Sequence, residues 1–288
     1  MVEKLPIVKK LDKKLISSYL SSKTVERLAG FDVLKTTTST NDEVLESQLL
    51  QKNRFIVCLA DQQTAGRGRN GNVWQSPSAA HIYMSTGSVF DVSLIKDIAG
   101  LSLACGVAVV RLLRSKGVKA GLKWPNDVLV DDKKLAGILV ETRIRASQVI
   151  VVVGLGLNIE MPESAIANIE QPWTDLNSLI PKKDFNAAFD LVYEKKINRN
   201  YIAAKLIEEI VECMVRYVES GFETFVDDWL QFDVLTGRRV NVKTDQEELE
   251  GHVIGFNKDH SVIVRVGNEE KTYYAADIKL KLDTHVNG

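Results

Sequence analysis

The sequence predicts an α+β fold, a mixed sheet with helices followed by a small β domain. Three observations predict it. Apolar, strand-like runs alternate with helical patterns up to about residue 230. After about Leu235 the texture changes to short strands separated by polar turns, as in GRRVNVKTDQEELEGHVIGFNKDHSVIVRVG. The length, 288 residues, fits one large domain with a small appendage and is ample for a core. The boundary is placed at Leu235, giving domains 1–235 and 236–288.

Each element follows from its local pattern. LDKKLISSYL, 11–20, suggests a short amphipathic helix. FDVLKT, 31–36, looks like a strand, and STNDEVLESQLL, 39–50, like a helix entered through a Ser/Thr/Asn cap. RFIVCLA, 54–60, is a buried strand, and HIYMSTGSV, 81–89, a strand with rough alternation. Residues 93–117 form a long apolar helix or helix pair ended by Gly117. VLVDDKKLAGILVET resembles a hairpin turning at Asp131-Asp132-Lys133, followed by the strand QVIVVVGLGLNI. Residues 173–230 are largely helical in pattern, with a break expected near Asn198-Arg199-Asn200.

Composition excludes several function classes. The formal net charge is −1, so no global positive field recruits nucleic acid; any anion must be bound by local basic loops. Cys58, Cys105 and Cys213 are odd in number, far apart and set in apolar surroundings. They read as reduced core residues of a cytoplasmic protein rather than a disulfide framework or metal site. The four histidines show no metal-ligand spacing, and no metal-ligating residue is assigned. The N-terminus has no apolar run of the signal-peptide kind, and no stretch reaches the roughly 20 apolar residues of a membrane span.

The chemistry concentrates in a few stretches. DQQTAGRGRNGNVWQSP, 61–77, leaves a strand and enters a glycine-rich loop, as a ligand-binding loop on a rigid scaffold does. Gly66, Gly68 and Gly71 let backbone approach a ligand. Arg67 and Arg69 each offer a fork of donors to phosphate or carboxylate. Trp74 is a flat surface on which a base or ring could stack. The alternative is a solvated turn with incidental arginines. The stretch is neither a GxxxxGK[ST] phosphate loop nor a dinucleotide fingerprint opening a helix. In LKWPND, 122–127, Lys123 sits beside a rigid Trp-Pro pair, and Asn126 and Asp127 offer an amide and a carboxylate for a nucleotide or its metal; a plain strand-end turn is the alternative. Gly137 in KLAGILVE, and Gly154 and Gly156 in VVVGLGLNI, interrupt apolar strands, which marks either close approach of a ligand or tight core packing. TTTSTND, 36–42, gathers hydroxyls and an amide at a helix start, for capping or for a polar ligand. No Ser–His or Cys–His pair stands out as a nucleophile. Cations, amides, hydroxyls and glycines suit transfer at a phosphate, where positioning and charge neutralisation carry most of the catalysis.

Taken together, TTSTND, QQTAGRGRNGNVWQSP, LKWPNDVLV, KKLAGILVE and VVGLGLNI, in this order, resemble the biotin–protein ligases (biotin–[acetyl-CoA-carboxylase] ligases). The resemblance covers residues 30–160 strongly and the C-terminal β domain loosely. It implies a class II synthetase-like, mixed-sheet α+β catalytic domain and a small SH3-like β-barrel domain. It also implies that biotin and Mg-ATP give biotinyl-5′-adenylate, and that a lysine of a biotin carboxyl carrier domain then attacks this mixed anhydride. On the same basis Ser39, Thr40, Asn41 and Gln63 line the biotin pocket, with the loop backbone at Gly66 and Gly68 and the floor at Gly137. Arg67 and Arg69 clamp carboxylate and phosphate, and Lys123 lies between both substrates. Trp74, Asn126 and Asn158 lie with Arg69 and Lys123 on the ATP side.

The residue types agree with this chemistry. A carboxylate with a pKa of about 4 is already nucleophilic at pH 7. Arg67, Arg69, Lys123 and Mg²⁺ would offset its repulsion by the triphosphate. Many bacterial members have a further basic residue after GRGR, where this chain has Asn70 and Asn72. Members that double as repressors carry an N-terminal winged helix-turn-helix, for which the segment before FDVLKTTTSTN is expected to be too short. The expected partners are therefore biotin, ATP and a carrier domain, with neither nucleic acid nor membrane, and the resemblance leaves room for a homodimer. The competing enzyme reading is a lipoate–protein ligase or octanoyltransferase of related fold, whose members lack the pairing of Gly-Arg-Gly-Arg with Lys-Trp-Pro-Asn-Asp. Residues 65–73 are expected to be poorly ordered alone, because nothing apolar holds them before Val73 and Trp74.

Overall fold

The computed structural model describes residues 10–93, 98–163, 169, 171–179, 197–244, 246–275 and 278–282. A seven-stranded mixed sheet organises the larger part. Its strands are β1 (Leu28–Leu34), β2 (Phe55–Ala60), β3 (Ile82–Asp91), β4 (Gly121–Lys123), β5 (Asp127–Val130), β6 (Lys133–Arg145) and β7 (Gln148–Leu157). The spatial order is β1-β2-β3-β7-β6-β5-β4, with β1 and β2 parallel and every other pair antiparallel.

Period-2 alternation decides which face each side chain covers. In β7, Val149, Val151, Val153, Leu155 and Leu157 enter the main core, whereas Ile150 and Val152 enter a smaller cluster on the opposite face. In β2, Val57 and Leu59 face the main core and Ile56 and Cys58 the smaller one. Two long helices fill the main side. The first is α4 (Ile98–Ser115), whose eighteen apolar-rich residues bury eleven against the sheet; the other is α6 (Arg199–Ser220). The helices α1 (Lys13–Tyr19) and α2 (Ser22–Arg27) precede the sheet. The short helix α3 (Thr40–Leu45) covers the smaller cluster through Val44 and Leu45. Two shorter α-helices are α5 (Leu176–Leu179) and α7 (Val226–Phe232).

Several expectations hold in detail. Gly117 terminates the turn after α4 with φ of +82°. The β5–β6 hairpin turns at Asp131 and Asp132, both at positive φ, as a two-residue hairpin of this twist demands. Others need correction. The helix expected over 39–50 stops at Leu45, and Ser39, at its N-cap position, makes no side-chain cap hydrogen bond. The strand expected from residue 31 begins at Leu28. The helical pattern expected over 180–196 lies outside the described residues.

The second sheet has five antiparallel strands in the order β11-β10-β9-β8-β12, from β8 (Arg239–Lys243), β9 (Glu248–Phe256), β10 (Val262–Val266), β11 (Glu269–Tyr273) and β12 (Lys279–Leu282). Its buried Val240, Val242, Val253, Val262 and Val264 join the main core cluster. A buried polar clamp ties the chain's early and late segments together. Arg199 donates to Asp61 Oδ1 at 3.1 Å and to the carbonyl of His81 at 2.6 Å, and Asp61 also accepts from Leu11 N at 3.1 Å.

Candidate active site

The site lies on the sheet face away from α4 and α6, where β7 thins. Continuing the parity of Ile150 and Val152 places Gly154 and Gly156 on that face. The missing side chains are a steric requirement. A Cβ on Gly154 would collide with the Asn41 amide, and one on Gly156 would enter the Trp74 indole. The two glycines therefore seat two different groups side by side.

The first group is polar. After β2, the chain continues alongside residues 37–38: Thr64 N donates to Thr37 O and Ala65 N to Thr38 O, each at 2.9 Å. This pairing brings Gln63 to the start of α3, where its Oε1 accepts from Thr40 N at 2.9 Å while its Nε2 donates to Ser76 Oγ at 3.2 Å. Ser85 of β3 lies 2.7 Å from Thr40 Oγ1 and donates to Asn41 Oδ1 at 2.5 Å. Asn41 Nδ2 donates to Glu141 of β6 at 2.5 Å. Ser39, Thr40, Asn41 and Ser85 are all buried. Buried amides and hydroxyls with directed partners form a rigid surface for a neutral polar ligand.

The arginine loop is a small hairpin. Gly68 N donates to Asn72 O at 2.7 Å and Trp74 N to Gly66 O at 2.9 Å, and the tip at Asn70 and Gly71 has positive φ. These bonds give the segment, expected to be poorly ordered alone, the form of a hairpin. Val73 is 71% exposed and anchors nothing; Trp74 supplies the apolar hold. Neither arginine points freely at the pocket. Arg67 donates to both oxygens of Asp42, at 2.8 and 2.7 Å, and to Glu141 at 3.1 Å. The Arg67 hydrogen bond holds the Asp42 carboxyl below the usual carboxylate range. Arg69 donates to the carbonyl of Ala275 in the second sheet's domain, and burial lowers the pKa of its guanidinium.

The second group surrounds Trp74. Lys134 holds its ammonium above the indole and 2.7 Å from Asp127 Oδ1, and Gly137 lies beneath both, its absent Cβ 3.0 Å from Trp74 Cζ3 and 3.2 Å from Lys134 Cε. Asn126 and Asn158 brace this edge. Asn126 Nδ2 donates to Ile138 O at 2.8 Å, and Asn158 Nδ2 donates to Thr174 O at 3.0 Å. Lys123 pairs with Asp127 across the β4–β5 hairpin, and its pKa is lowered, first by burial, with Asp127 opposing. Trp124 is buried and donates through Nε1 to His260 O at 2.8 Å, so it fastens the second sheet's domain and is closed to ligands.

The structure thus brings together Thr40, Asn41, Gln63, Gly66, Arg67 and Gly68 on one side, and Trp74, Lys123, Asn126, Gly137 and Asn158 on the other, with Arg69 reaching toward the second domain. Sequence reasoning missed Lys134, Asp42, Glu141 and Ser85. For Lys134 a signal existed: it stands three residues before Gly137 in a hairpin whose glycine was already singled out. Among the described residues no group of three or more His, Cys, Asp or Glu is arranged to hold a metal ion.

Comparison with known proteins agrees with this geometry. The model of the biotin/lipoate A/B protein ligase family matches residues 31–158. The bifunctional ligase/repressor BirA of Escherichia coli (strain K12) is 30% identical over 251 residues, which span 86% of this chain and 73% of that protein. The biotin–[acetyl-CoA-carboxylase] ligase of Mycobacterium tuberculosis (strain ATCC 25618 / H37Rv) is 32% identical over 236 residues, 79% of each chain. The solved biotin protein ligase from Aquifex aeolicus in complex with biotin and ATP superposes with a TM-score of 0.68 at 22% identity, covering 88% of this chain and 99% of that one, which shows a shared fold. With a buried amide–hydroxyl surface beside a tryptophan–lysine shelf, the chain belongs to the biotin protein ligase family.

Proposed function

We propose that the protein uses ATP to join biotin, through biotinyl-5′-adenylate, to a lysine of a biotin carboxyl carrier domain. The observation that carries this reading is the adjacency of two unlike surfaces over Gly154 and Gly156: directed amides and hydroxyls at Asn41, and an indole with a lysine at Trp74. The first suits the neutral ureido ring of biotin, the second a nucleotide.

In the first half-reaction a biotin carboxylate oxygen forms a bond to the α-phosphorus, the bond to the bridging oxygen breaks, and pyrophosphate leaves. No base is needed, because the carboxylate is ionised at pH 7. The obstacle is repulsion between anions, and preorganised cations lower it. Arg67 is already committed to two carboxylates, so this task falls to Lys134, Lys123 and the remaining donors of Arg69. Magnesium would enter with the nucleotide as part of the substrate, and Asp127, paired with Lys134, would be the carboxylate to hold it and offset charge on the phosphates. In the second half-reaction the carrier amine, with a pKa of about 10.4, loses a proton and attacks the acyl carbon, and AMP leaves. Three buried free cysteines support a reducing, cytoplasmic setting.

The test is pyrophosphate release from ATP with biotin, with lipoate and with no acid, followed by transfer to a carrier domain. Release with biotin alone, and label on the carrier lysine, are expected. Release with lipoate instead would move the chain to the lipoate side of the family.

A further inference from the structure

Glu141 lies on β6 opposite Val152 of β7, and its carboxylate reaches two groups at once. Its Oε2 accepts from Asn41 Nδ2 at 2.5 Å and from Arg67 Nη2 at 3.1 Å. Asn41 is held from its other side by Ser85, which donates to Oδ1 at 2.5 Å. An ionised carboxylate only accepts hydrogen bonds, so it fixes which end of an amide faces it. A carboxylate on one side and a donating hydroxyl on the other leave Asn41 a single orientation. Its second N–H and its remaining lone pair are then presented to the pocket in a fixed pattern. Through Arg67 the same carboxylate pulls the loop hairpin onto α3, because the Arg67 fork is completed by Asp42. The Asp42–Arg67–Glu141 group carries a net charge of −1 and is only partly exposed, with side-chain exposures of 41%, 37% and 29%.

We infer that Glu141 is a positioning residue for biotin: it sets the amide orientation of Asn41 and closes the Arg67 loop over the same pocket, and thereby selects a neutral ring carrying both N–H donors and a carbonyl acceptor. The inference rests on the biotin ligase reading. A neutral substitute at 141 would keep the shape. It would also let the Asn41 amide turn over, because a glutamine can donate to Oδ1 where glutamate cannot. The Asp42 carboxylate, by contrast, accepts from Arg67 and not from Asn41.

The experiment measures biotin-dependent pyrophosphate release at varied biotin and ATP for the wild-type chain, E141Q, D42N, S85A and the surface control K52Q. A hydrogen bond to a charged group lost from the pocket corresponds to a rise of roughly 10–100-fold in the KM for biotin. That rise is expected for E141Q, with the KM for ATP and the melting temperature close to wild type. D42N should shift the KM for biotin several-fold less, and K52Q not at all. S85A removes the opposite clamp and should raise the KM for biotin in the same direction; it decides the matter if E141Q proves unstable. An active wild type with an unchanged KM for biotin in E141Q or in S85A overturns the inference, and so does a D42N effect equal to that of E141Q. A wild type that releases no pyrophosphate with biotin overturns the ligase reading instead.

Discussion

The ammonium of Lys134 sits 5.2 Å from the centre of the Trp74 ring. That contact places a cation on the shelf proposed for the nucleotide, with Asp127 beside it. Lys123, two strands of the same hairpin system away, has the same Asp127 as its paired neighbour on β5. Lys134→Gln should therefore slow adenylation by about 10²–10³-fold, the usual cost of one preorganised charge contact. Lys123→Gln should slow it less. Single-turnover formation of biotinyl-adenylate by both variants provides the check, and the reverse ranking would return the principal role to Lys123.

Gly156 carries the Trp74 indole against bare backbone. Gly156→Ala should push the ring off the strand without unfolding the sheet, because β7 tolerates alanine at an ordinary strand position. Stacking of a base on an aromatic ring is worth roughly 1–3 kcal/mol, so the KM for ATP should rise about 10–100-fold. Thermal shift separates the substrates: stabilisation by biotin persists and stabilisation by ATP weakens. Equal loss of both would show that the substitution had damaged the whole site.

His81 is fully buried, and burial pushes its pKa down to about 4. Its Nδ1 accepts from Ile159 N at 3.0 Å, a bond that only the neutral ring can make. The folded pKa lies below the unfolded value of about 6.5, so the unfolded chain binds the extra proton first. This contribution is complete above pH 6.5 and is lost as pH falls toward 4, amounting to at most roughly 3 kcal/mol. Urea unfolding at pH 7 and pH 5 should show the loss. His81→Asn, which keeps an acceptor near Nδ1, should flatten the dependence.

Thr86 lies on the core face of β3 with its hydroxyl buried and lacking a hydrogen-bond partner among the described residues. Thr86→Val exchanges that hydroxyl for a methyl of similar shape. The variant should be more stable by about 1 kcal/mol. A higher urea midpoint at unchanged slope is the expected signature; a lower midpoint would show that the methyl is not accommodated.

Much of this was legible where the physics is local. The alternation through VIVVVGLGL specifies a strand with a core face, and its two glycines announce an approach from the other side. The paired aspartates before Lys133 mark a hairpin by their tolerance of positive φ. The helix from Ser39 was over-extended because Leu49 and Leu50 continue an apolar spacing, yet Leu49 is 55% exposed and the chain has already turned. What stayed hidden depends on pairing at long range. Glu141 meets Asn41 across a sequence separation of 100, and Asp42 meets Arg67 across 25. In sequence both acids look like ordinary surface charges, and the two arginines look free. Only the register of β6 against β7 reveals that one of them already has its anions.

The contacts from Arg69 to Ala275 and from Trp124 to His260 have a consequence in time. The arginine is followed by its capping carbonyl 206 positions later, and the indole by its acceptor 136 positions later. At ~5–20 residues per second, a ribosome needs roughly 10–40 s to cover the longer interval. By the time Ala275 emerges the growing polypeptide has made every strand of the large sheet, yet until then the loop lacks its far-side support, and the Trp-Pro turn lacks its own until His260. Residues 260 and 275, made long after the loop and the turn, thus complete the support of both, and a nascent chain that stops short of them holds Arg69 and Trp124 without these partners.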